Sequence, residues 1–264
     1  MTIFEKALAS YTHKNQISPR PGFDLNDPDL PGKNRIGQLE RLTNILNKDF
    51  PFDTINCIET GGSRSWLDGM VGYYFAYLSN NTKGKFTSVD INPDYEDEVN
   101  KAYLDLDPNI KITHITDDSL NLLKNPPYIP NLVHLDSWDV DLKNPLPSAL
   151  HGWREFEAIE SQMPVGSIIV IDDNWYQNNW VEWITNYSDG RQDRERITIN
   201  YPILGKGAHI CQYLKGKKRF IPVLEIYLED AGDTFDITLD RRDILITLQQ
   251  NLEIHERNED YEGC

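Results

Sequence analysis

The chain has 264 residues, with 26 lysines and arginines against 42 aspartates and glutamates, and a formal net charge of −16 at pH 7. Hydrophobic residues make up 39% of it, enough for a sizeable core, which excludes whole-chain disorder and small disulfide-stapled scaffolds. A negative field repels phosphate backbones and anionic membrane surfaces. We therefore expect neither nucleic acid nor a membrane as partner.

The cysteines and the first residues indicate a reducing compartment. Cys57, Cys211 and Cys264 form no Cys-x-x-Cys pair, and their odd number and scattered spacing are typical of reduced thiols. The opening MTIFEKALASYTHK lacks the apolar stretch of a signal peptide, and no apolar run approaches the roughly 18 residues that span a bilayer. We therefore expect a cytoplasmic protein.

Residues 1–50 predict a helical arm packed on the main domain. An N-terminal helix is followed by the turn-rich segments 18–22 and 24–34, whose prolines and glycines forbid a long helix. Segment 36–50 then repeats leucine and isoleucine at three- and four-residue spacing, which is one apolar face of a second helix.

From residue 54, short apolar runs alternate with longer amphipathic segments. Repeated strand–helix units imply right-handed crossovers and a mostly parallel sheet. The run IIVI (168–171) has no polar alternation, as expected of a strand covered on both faces. The fold class predicted is α/β, a doubly wound Rossmann-like sheet with helices on both faces. The strand candidates are 55–60, 85–91, 111–116, 131–136 and 167–172, and the helix candidates between them are 65–79, 94–105, 119–124 and 149–163.

The remaining chain predicts a helix at 178–187 and strands near 208–214 and 222–228, followed by a charged tail. The predicted domains are thus a helical arm (1–50), an α/β domain (51–246) and a C-terminal tail (247–264).

A glycine turn follows the first strand, in the sequence Glu59-Thr60-Gly61-Gly62-Ser63. Two glycines permit a tight turn and close approach of a ligand, but the dinucleotide fingerprint needs a third. Glu59 would repel a pyrophosphate and suits a ligand that carries an ammonium group. The alternative is an ordinary junction in which Ser63 or Ser65 caps the next helix.

Acidic residues also end the second and third strands. Asp90 is placed to accept the two hydroxyls of a ribose, unless it merely caps a helix. Asp118 beside Ser119 is placed to accept from the exocyclic amine of adenine, and helix capping is an equal alternative.

The fourth and fifth strands end in Asp136 and in Asp172-Asp173-Asn174. Neighbouring strand ends lie about 4.8 Å apart, so these carboxylates would repel one another unless a cation joins them. Carboxylate and amide oxygens are ligands that Mg²⁺ or Ca²⁺ prefers. The alternative is that each aspartate caps a helix or turn.

These motifs, in order over about residues 50–175, resemble the class I S-adenosylmethionine-dependent methyltransferases, and most closely the metal-dependent O-methyltransferases of catechol and macrocin type. The resemblance implies a seven-stranded sheet with an antiparallel last strand. It implies that Glu59, Gly61 and Gly62, with Ser63, hold the amino-carboxypropyl end of the cofactor. It further implies Asp90 at the ribose, and Asp118 and Ser119 at the adenine.

The same resemblance implies that Asp136, Asp173 and Asn174 bind a divalent metal, Mg²⁺, with Asp172 as an alternative ligand. The catechol-type enzymes have a lysine base three residues after the first ligand, where this chain has Asp139. The base is therefore open among Asp139, His151 and Lys143, and the predicted catalytic set is Asp136, Asp139 and His151.

The expected function is S-adenosylmethionine- and magnesium-dependent O-methylation of a small hydroxylated acceptor. Trp138 and Trp175 are candidates for the substrate wall, and the glycine-flanked segment 201–208 is a candidate lid or a plain loop. The alternatives are a nicotinamide-dependent oxidoreductase, a cephalosporin-hydroxylase-like protein and a non-catalytic binding protein. The oligomeric state is open, a homo-oligomer included.

Overall fold

Five parallel strands form the centre of the fold in the computed structural model. They are β1 (Cys57–Thr60), β2 (Phe86–Asp90), β3 (Thr113–Thr116), β4 (Leu132–Leu135) and β5 (Ile168–Ile171), and they lie side by side in the order β3-β2-β1-β4-β5. The predicted α/β class with a parallel sheet is confirmed. The described residues are 1–18, 35–66, 69–141, 144–176, 180–186, 192–198, 203–214, 220–224, 240–241 and 244–248.

Helices cover both faces of this sheet because its strands are apolar on both sides. In β5, Ile168 and Val170 join one buried cluster while Ile169 and Ile171 join the other. The helices are α1 (Ile3–Ile17), α2 (Arg35–Asp49), α3 (Val71–Asn81), α4 (Tyr95–Leu106), α5 (Ser119–Lys124) and α6 (Leu146–Ile159), the last continued by a 3-10 turn at Glu160–Gln162.

The two N-terminal helices pack against α3. Helix α1 begins with a capping box in which the Thr2 side chain accepts from Glu5 N and the Glu5 carboxylate accepts from Thr2 N. Its Tyr11 is fully buried and donates its hydroxyl hydrogen to the Gly69 carbonyl. Thr43 of α2 and Tyr74 of α3 share a buried hydrogen bond of 2.9 Å. Buried leucines of α2 complete this face of the core.

Two predictions for the later chain are wrong. Segment 178–187 is not a helix, because Trp180–Asn186 forms a strand that pairs with Gln192–Thr198. Aromatic and β-branched residues dominate the first of these strands, which favours extended backbone. Segment 208–214 is not a strand, because Ala208–Leu214 is a helix whose Ile210 packs in the same cluster as Phe156 of α6.

The strands after β5 fall into three groups. In chain order they are β6 (Asn174–Tyr176), β7 (Trp180–Asn186), β8 (Gln192–Thr198), β9 (Ile203–Gly205), β10 (Phe220–Leu224), β11 (Asp240–Arg241) and β12 (Ile244–Leu248), with α7 (Ala208–Leu214) between β9 and β10. Strands β7 and β8 form a hairpin, and β6, β9 and β11 form a small separate sheet.

The third group, β10 and β12, extends the main sheet. Strand β12 pairs antiparallel with β5 and with β10, so the described sheet has seven strands. Strand β12 also spans the domain boundary predicted at residue 246, and the rest of the predicted tail lies outside the described residues. Among the described helices, none combines the length and the apolar character needed to cross a membrane.

Candidate functional site

The predicted site residues meet at one edge of the sheet because the carboxyl ends of the strands are in register. Thr60 lies opposite Val89 on one side and Leu135 on the other, and Leu135 lies opposite Ile171. The strand order reverses between β1 and β4, and ligands of doubly wound sheets bind at such a switch point.

The glycine turn after β1 is fixed by the end of β4 and by Asp90. Gly61 has φ +76°, and a Cβ there would lie 2.4 Å from the Asp136 carbonyl oxygen, so only glycine fits. The next amide, Gly62 N, donates to Asp90 Oδ2 at 3.2 Å, and Asn92 N donates to Asp90 Oδ1 at 2.9 Å. Each carboxylate oxygen keeps a lone pair, so Asp90 can still accept from a ligand.

Glu59 contacts this turn only through Ser63 among its described contacts. Its carboxylate is fully buried, and it accepts from Ser63 Oγ at 2.9 Å, Ser88 Oγ at 3.2 Å and the Tyr103 hydroxyl at 3.3 Å. Burial and the Glu59 charge hold the pKa of Tyr103 well above its usual value. These three donors tie the carboxylate to α4 and β2 as well as to Ser63, and the contact of Glu59 with a cofactor stays a prediction.

Ser63 belongs to the same buried network. Its hydroxyl donates to Glu59 and accepts from Gly72 N at 3.2 Å, in the first turn of α3. A Cβ at Gly72 would lie 2.4 Å from Glu59 Oε1, so this glycine makes room for the carboxylate. Ser63 thus contacts the start of α3, whose N-cap residue is Met70, and its contact with a cofactor stays a prediction.

Asp118 and Ser119 begin helix α5. The Asp118 side chain accepts from Leu120 N at 2.9 Å, which is an N-cap, and this leaves its adenine contact a prediction. Ser119 Oγ lies 3.2 Å from His151 Nε2. His151 Nε2 in turn lies 3.5 Å from Glu155 Oε1. The described contacts thus give His151 a place in a polar network of α5 and α6.

Trp138 covers this network in a strained conformation. Its φ is +65°, uncommon for a bulky residue, and its side chain is 58% exposed although its ring lies 5.3 Å from the His151 ring. Strained residues concentrate at functional sites. Asp139, another base candidate, is exposed, and Lys143 lies outside the described residues. The Trp175 side chain is also outside them.

A lysine that the sequence analysis did not select lies between two of the predicted metal ligands. Lys206 Nζ is 2.6 Å from Asp136 Oδ1, 2.9 Å from Asp173 Oδ2 and 3.1 Å from the Asp136 carbonyl oxygen. Lys206 is fully buried, while the Asp136 and Asp173 side chains are 26% and 19% exposed. The ammonium therefore neutralises carboxylates that still reach the cleft.

The other two predicted ligands also have protein partners. Arg35 makes a two-bond contact with Asp172, at 2.6 Å to Oδ1 and 2.7 Å to Oδ2, and both side chains are buried. Asn174 Nδ2 donates to the Ile171 and Asp172 carbonyls, and its Oδ1 accepts from Gly207 N at 2.6 Å. In both side chains, the oxygens that a metal would bind already accept hydrogen bonds from the protein.

Charge and burial shift the pKa values of this cluster. Burial raises the pKa of Asp136 to about 7, because Lys206 and His134 only partly offset it and the Asp172 and Asp173 charges add to it. For Lys206, burial alone would lower the pKa, but the charges of Asp136, Asp173 and Asp172 raise it well above its usual value. The lysine is therefore held in its charged form.

The donor set does not fit a divalent ion in this arrangement. His134, Asp136 and Asp172 each offer a ligand atom within 4.8 Å of the others. However, Asp172 gives both oxygens to Arg35, and Mg²⁺ requires oxygens at about 2.1 Å, where the Lys206 ammonium already lies close to Asp136. A metal would first have to displace protein cations.

Arg35 and Lys206 are the site residues that sequence reasoning missed. They lie 137 and 70 residues from their partners in the chain, so no local pattern joins them. The one available signal was the sequence Gly205-Lys206-Gly207, a lysine flanked by glycines within the segment considered as a lid. Described residues 203–208 form a strand, a turn and the first residue of α7 that fix Lys206 at the site.

Comparisons with known proteins give structural neighbours only. No family model matches the chain, and no curated protein matches its sequence. The chain is similar to an O-methyltransferase from Bacillus cereus in complex with SAH, at 14% identity over 94% of this chain and 90% of that chain, with a TM-score of 0.48. It is also similar to an SAH-bound methyltransferase from Podospora anserina, at 12% identity over 92% and 88% of the two chains, with a TM-score of 0.49.

An rRNA methylase from Streptococcus thermophilus is a further neighbour, at 14% identity over 78% of this chain and 93% of that chain, with a TM-score of 0.46. At these scores the similarities identify neither an activity nor a substrate, so the function has to be argued from the site itself.

Proposed function

We propose that the protein transfers a methyl group from S-adenosylmethionine to a hydroxyl oxygen of a small molecule. The observation that carries the proposal is the contact between Gly62 N and Asp90 Oδ2 beside Asp136, at the switch point of the sheet. This contact places the glycine turn next to a carboxylate of the type that binds a ribose, and both lie beside the acidic cleft. The seven-stranded order with a reversed β12 supports it, being the sheet that the family resemblance implies.

The cofactor would lie across the ends of β1, β2 and β3. Asp90 accepts the ribose hydroxyls, and the Gly61 turn permits close approach of the ligand. Asp118 and Ser119 flank the adenine, with the exposed Trp138 ring as a flat surface for it. Glu59 is buried, and its contact with the amino-carboxypropyl end stays a prediction. When bound, S-adenosylmethionine supplies a methyl group already activated by its sulfonium.

The acceptor would lie against the ends of β4 and β5. Methyl transfer needs the acceptor oxygen in line and within about 3–3.5 Å of the methyl carbon. Asp136, partly exposed beside the glycine turn, is placed to accept the proton of the acceptor hydroxyl. The net charge of −16 and the acidic cleft favour a small acceptor over a nucleic acid. A magnesium ion is not part of this proposal, because Arg35 and Lys206 already neutralise the predicted ligands.

Calorimetric titration of S-adenosylmethionine and S-adenosylhomocysteine into the full chain tests the proposal. We expect micromolar binding, and roughly tenfold weaker binding in Asp90→Asn, because a charged acceptor of the ribose hydroxyls becomes neutral. Asp94→Asn is the matched control, since Asp94 is exposed and its side chain caps nothing. The control should bind as the wild type does.

The same titration distinguishes the alternatives. Binding of NAD in place of both sulfonium ligands would support an oxidoreductase and sink the methyltransferase proposal. Equal affinity of Asp90→Asn and wild type would show that the cofactor does not bind at Asp90 beside the glycine turn. A radiolabelled methyl donor with a panel of phenols, sugars and RNA then identifies the acceptor class, and methylation of RNA alone would overturn the small-molecule assignment.

A further inference from the structure

We propose that the Lys206 ammonium takes the place of a divalent cation between the ends of β4 and β5, so that this site works without a bound metal. The part of this proposal that concerns the acceptor rests on the proposed methyltransferase function. The part that concerns the metal does not rest on that function, and it can be tested by metal binding alone.

The coordination of Lys206 is complete. An ammonium group has three hydrogens to donate, and three oxygen atoms lie within 3.1 Å of Nζ, two from Asp136 and one from Asp173. Lys206 itself is fully buried. A buried cation whose three donors all bind oxygens, and whose partners include two carboxylates, occupies the site as a bound metal ion would. Here that cation is a side chain of the protein.

The backbone around Lys206 is shaped to hold it there. Gly205 has φ +114°, and a Cβ on it would lie 1.9 Å from the Asp173 carbonyl oxygen. On the other side, Gly207 N donates to Asn174 Oδ1 at 2.6 Å. A Cβ at Gly152 would lie 2.4 Å from the Lys206 carbonyl oxygen, so helix α6 also makes room for this turn. The Gly205 conformation and the Gly207 amide therefore both help to fix the position of one side chain.

With all three carboxylates ionised, the two protein cations leave the cluster with the same net charge, −1, that one Mg²⁺ ion would leave. Asp136, Asp172 and Asp173 supply three negative charges, and Lys206 with Arg35 supplies two positive charges, the charge of one Mg²⁺ ion. Arg35 uses both oxygens of Asp172. A divalent ion added to this set would lie within a few ångströms of two fixed cations, in a buried region where repulsion is weakly screened.

A lysine in place of a metal ion changes which acceptors the site can bind. A metal-dependent site of the catechol type favours a substrate with two adjacent oxygens, because both can bind the ion. Here the cation is already coordinated, and the described part of the cleft offers the partly exposed carboxylates of Asp136 and Asp173. An acceptor with a single hydroxyl that donates to a carboxylate fits this site, because no ion has to be held by a second oxygen of the acceptor.

Binding of Mn²⁺, followed by electron paramagnetic resonance, tests the metal-free site. The wild-type chain and Asp173→Asn should bind the same number of Mn²⁺ ions, since Asp173 holds no metal. Lys206→Ala should gain one Mn²⁺ ion, because it frees two carboxylates and the space between them. Lys124→Ala is the matched control, an exposed lysine whose loss should leave Mn²⁺ binding unchanged. Circular dichroism confirms that each variant is folded.

Loss of one Mn²⁺ ion in Asp173→Asn would overturn the proposal, and this comparison does not depend on whether Lys206→Ala folds. A folded Lys206→Ala that gains no Mn²⁺ would equally overturn the role given to the lysine. Turnover with labelled S-adenosylmethionine should survive EDTA, with a single-hydroxyl phenol at least as good an acceptor as catechol. Absence of cofactor binding would refute the proposed function and leave the Mn²⁺ result standing.

Discussion

The two halves of the site hold their acidic side chains in different ways. At the ends of β2 and β3, Asp90 and Asp118 accept from backbone amides, and the amides of Asn92 and Leu120 lie only two residues along the chain. At the ends of β4 and β5, Asp136 and Asp172 are paired with charged side chains 70 and 137 residues away. The first half is organised mainly by local contacts, to which Gly62 N adds one donor 28 residues away from Asp90, and the second half depends on the folded chain as a whole.

This difference determines where stability and function are coupled. A carboxylate that accepts from nearby amides needs little additional free energy to be held in place, because the turn itself positions its donors. A buried carboxylate paired with a distant cation is secure only while that cation is in place, and removal of one partner leaves an uncompensated charge. Substitutions in the second half should therefore affect folding more than substitutions in the first.

The largest effect is expected for Lys206→Met, which keeps most of the side-chain volume and removes the charge. Asp136 and Asp173 then lose their shared cation, and breaking a buried ion pair costs about 3–5 kcal/mol. Urea unfolding of this variant beside Lys124→Met, an exposed lysine, measures the difference. A loss below about 1 kcal/mol, the range of surface pairs, would contradict the contrast between the halves.

Gly61→Ala tests the junction between the halves. A residue with a side chain is strained at φ +76°, and its Cβ would lie 2.4 Å from the Asp136 carbonyl oxygen. Together these effects should lower the free energy of unfolding by about 2–4 kcal/mol. Gly37→Ala is the control, because Gly37 lies in α2 with nothing within 4 Å of a built Cβ. It should stabilise by about 0.5–1 kcal/mol, and equal signs for the two variants would refute the assigned role of Gly61.

Arg35→Lys sharpens the comparison within the second half. Lysine keeps the charge but cannot reproduce the planar two-bond contact with Asp172, so we expect a loss of about 1–2 kcal/mol. The exposed Arg154 of α6 supplies the control substitution Arg154→Lys, expected within about 0.5 kcal/mol of wild type. Indistinguishable unfolding curves for the two variants would show that charge alone, without geometry, holds Asp172.

The fold was predictable to the extent that its strands are buried on both faces. Short apolar runs such as IIVI at β5 have few alternatives, and all five central strands were predicted at close to their observed bounds. Segments 180–186 and 208–214 were misassigned because each is a short run that mixes apolar and polar residues. Neither length nor periodicity decides between helix and strand for such a run. Pairing with β8 decides the first, and packing against α6 decides the second.

The site was predictable in its acids and not in its cations. Aspartates at strand ends follow from the chain order, since parallel strands bring their carboxyl ends to one edge. Their expected repulsion was correctly anticipated, but the sequence offered no way to choose a metal ion or a protein cation as its remedy. The buried partners of Glu59 could not be predicted for a related reason, because its donors Ser88 and Tyr103 come from β2 and α4. Contacts between distant segments decide both cases.

The smallest effect is expected where the partners are local. Asp118→Ala removes the N-cap of α5 and should cost about 1 kcal/mol, because Leu120 N loses its acceptor. Asp118→Ser keeps a capping oxygen and should restore most of that stability, whereas Asp105→Ala, at an exposed position of α4, should cost nothing measurable. If Asp118→Ser unfolds like wild type yet binds S-adenosylhomocysteine more weakly, the carboxylate has a ligand role beyond the cap. If its affinity is unchanged, Asp118 serves only the helix, and adenine recognition falls to Ser119 and Trp138.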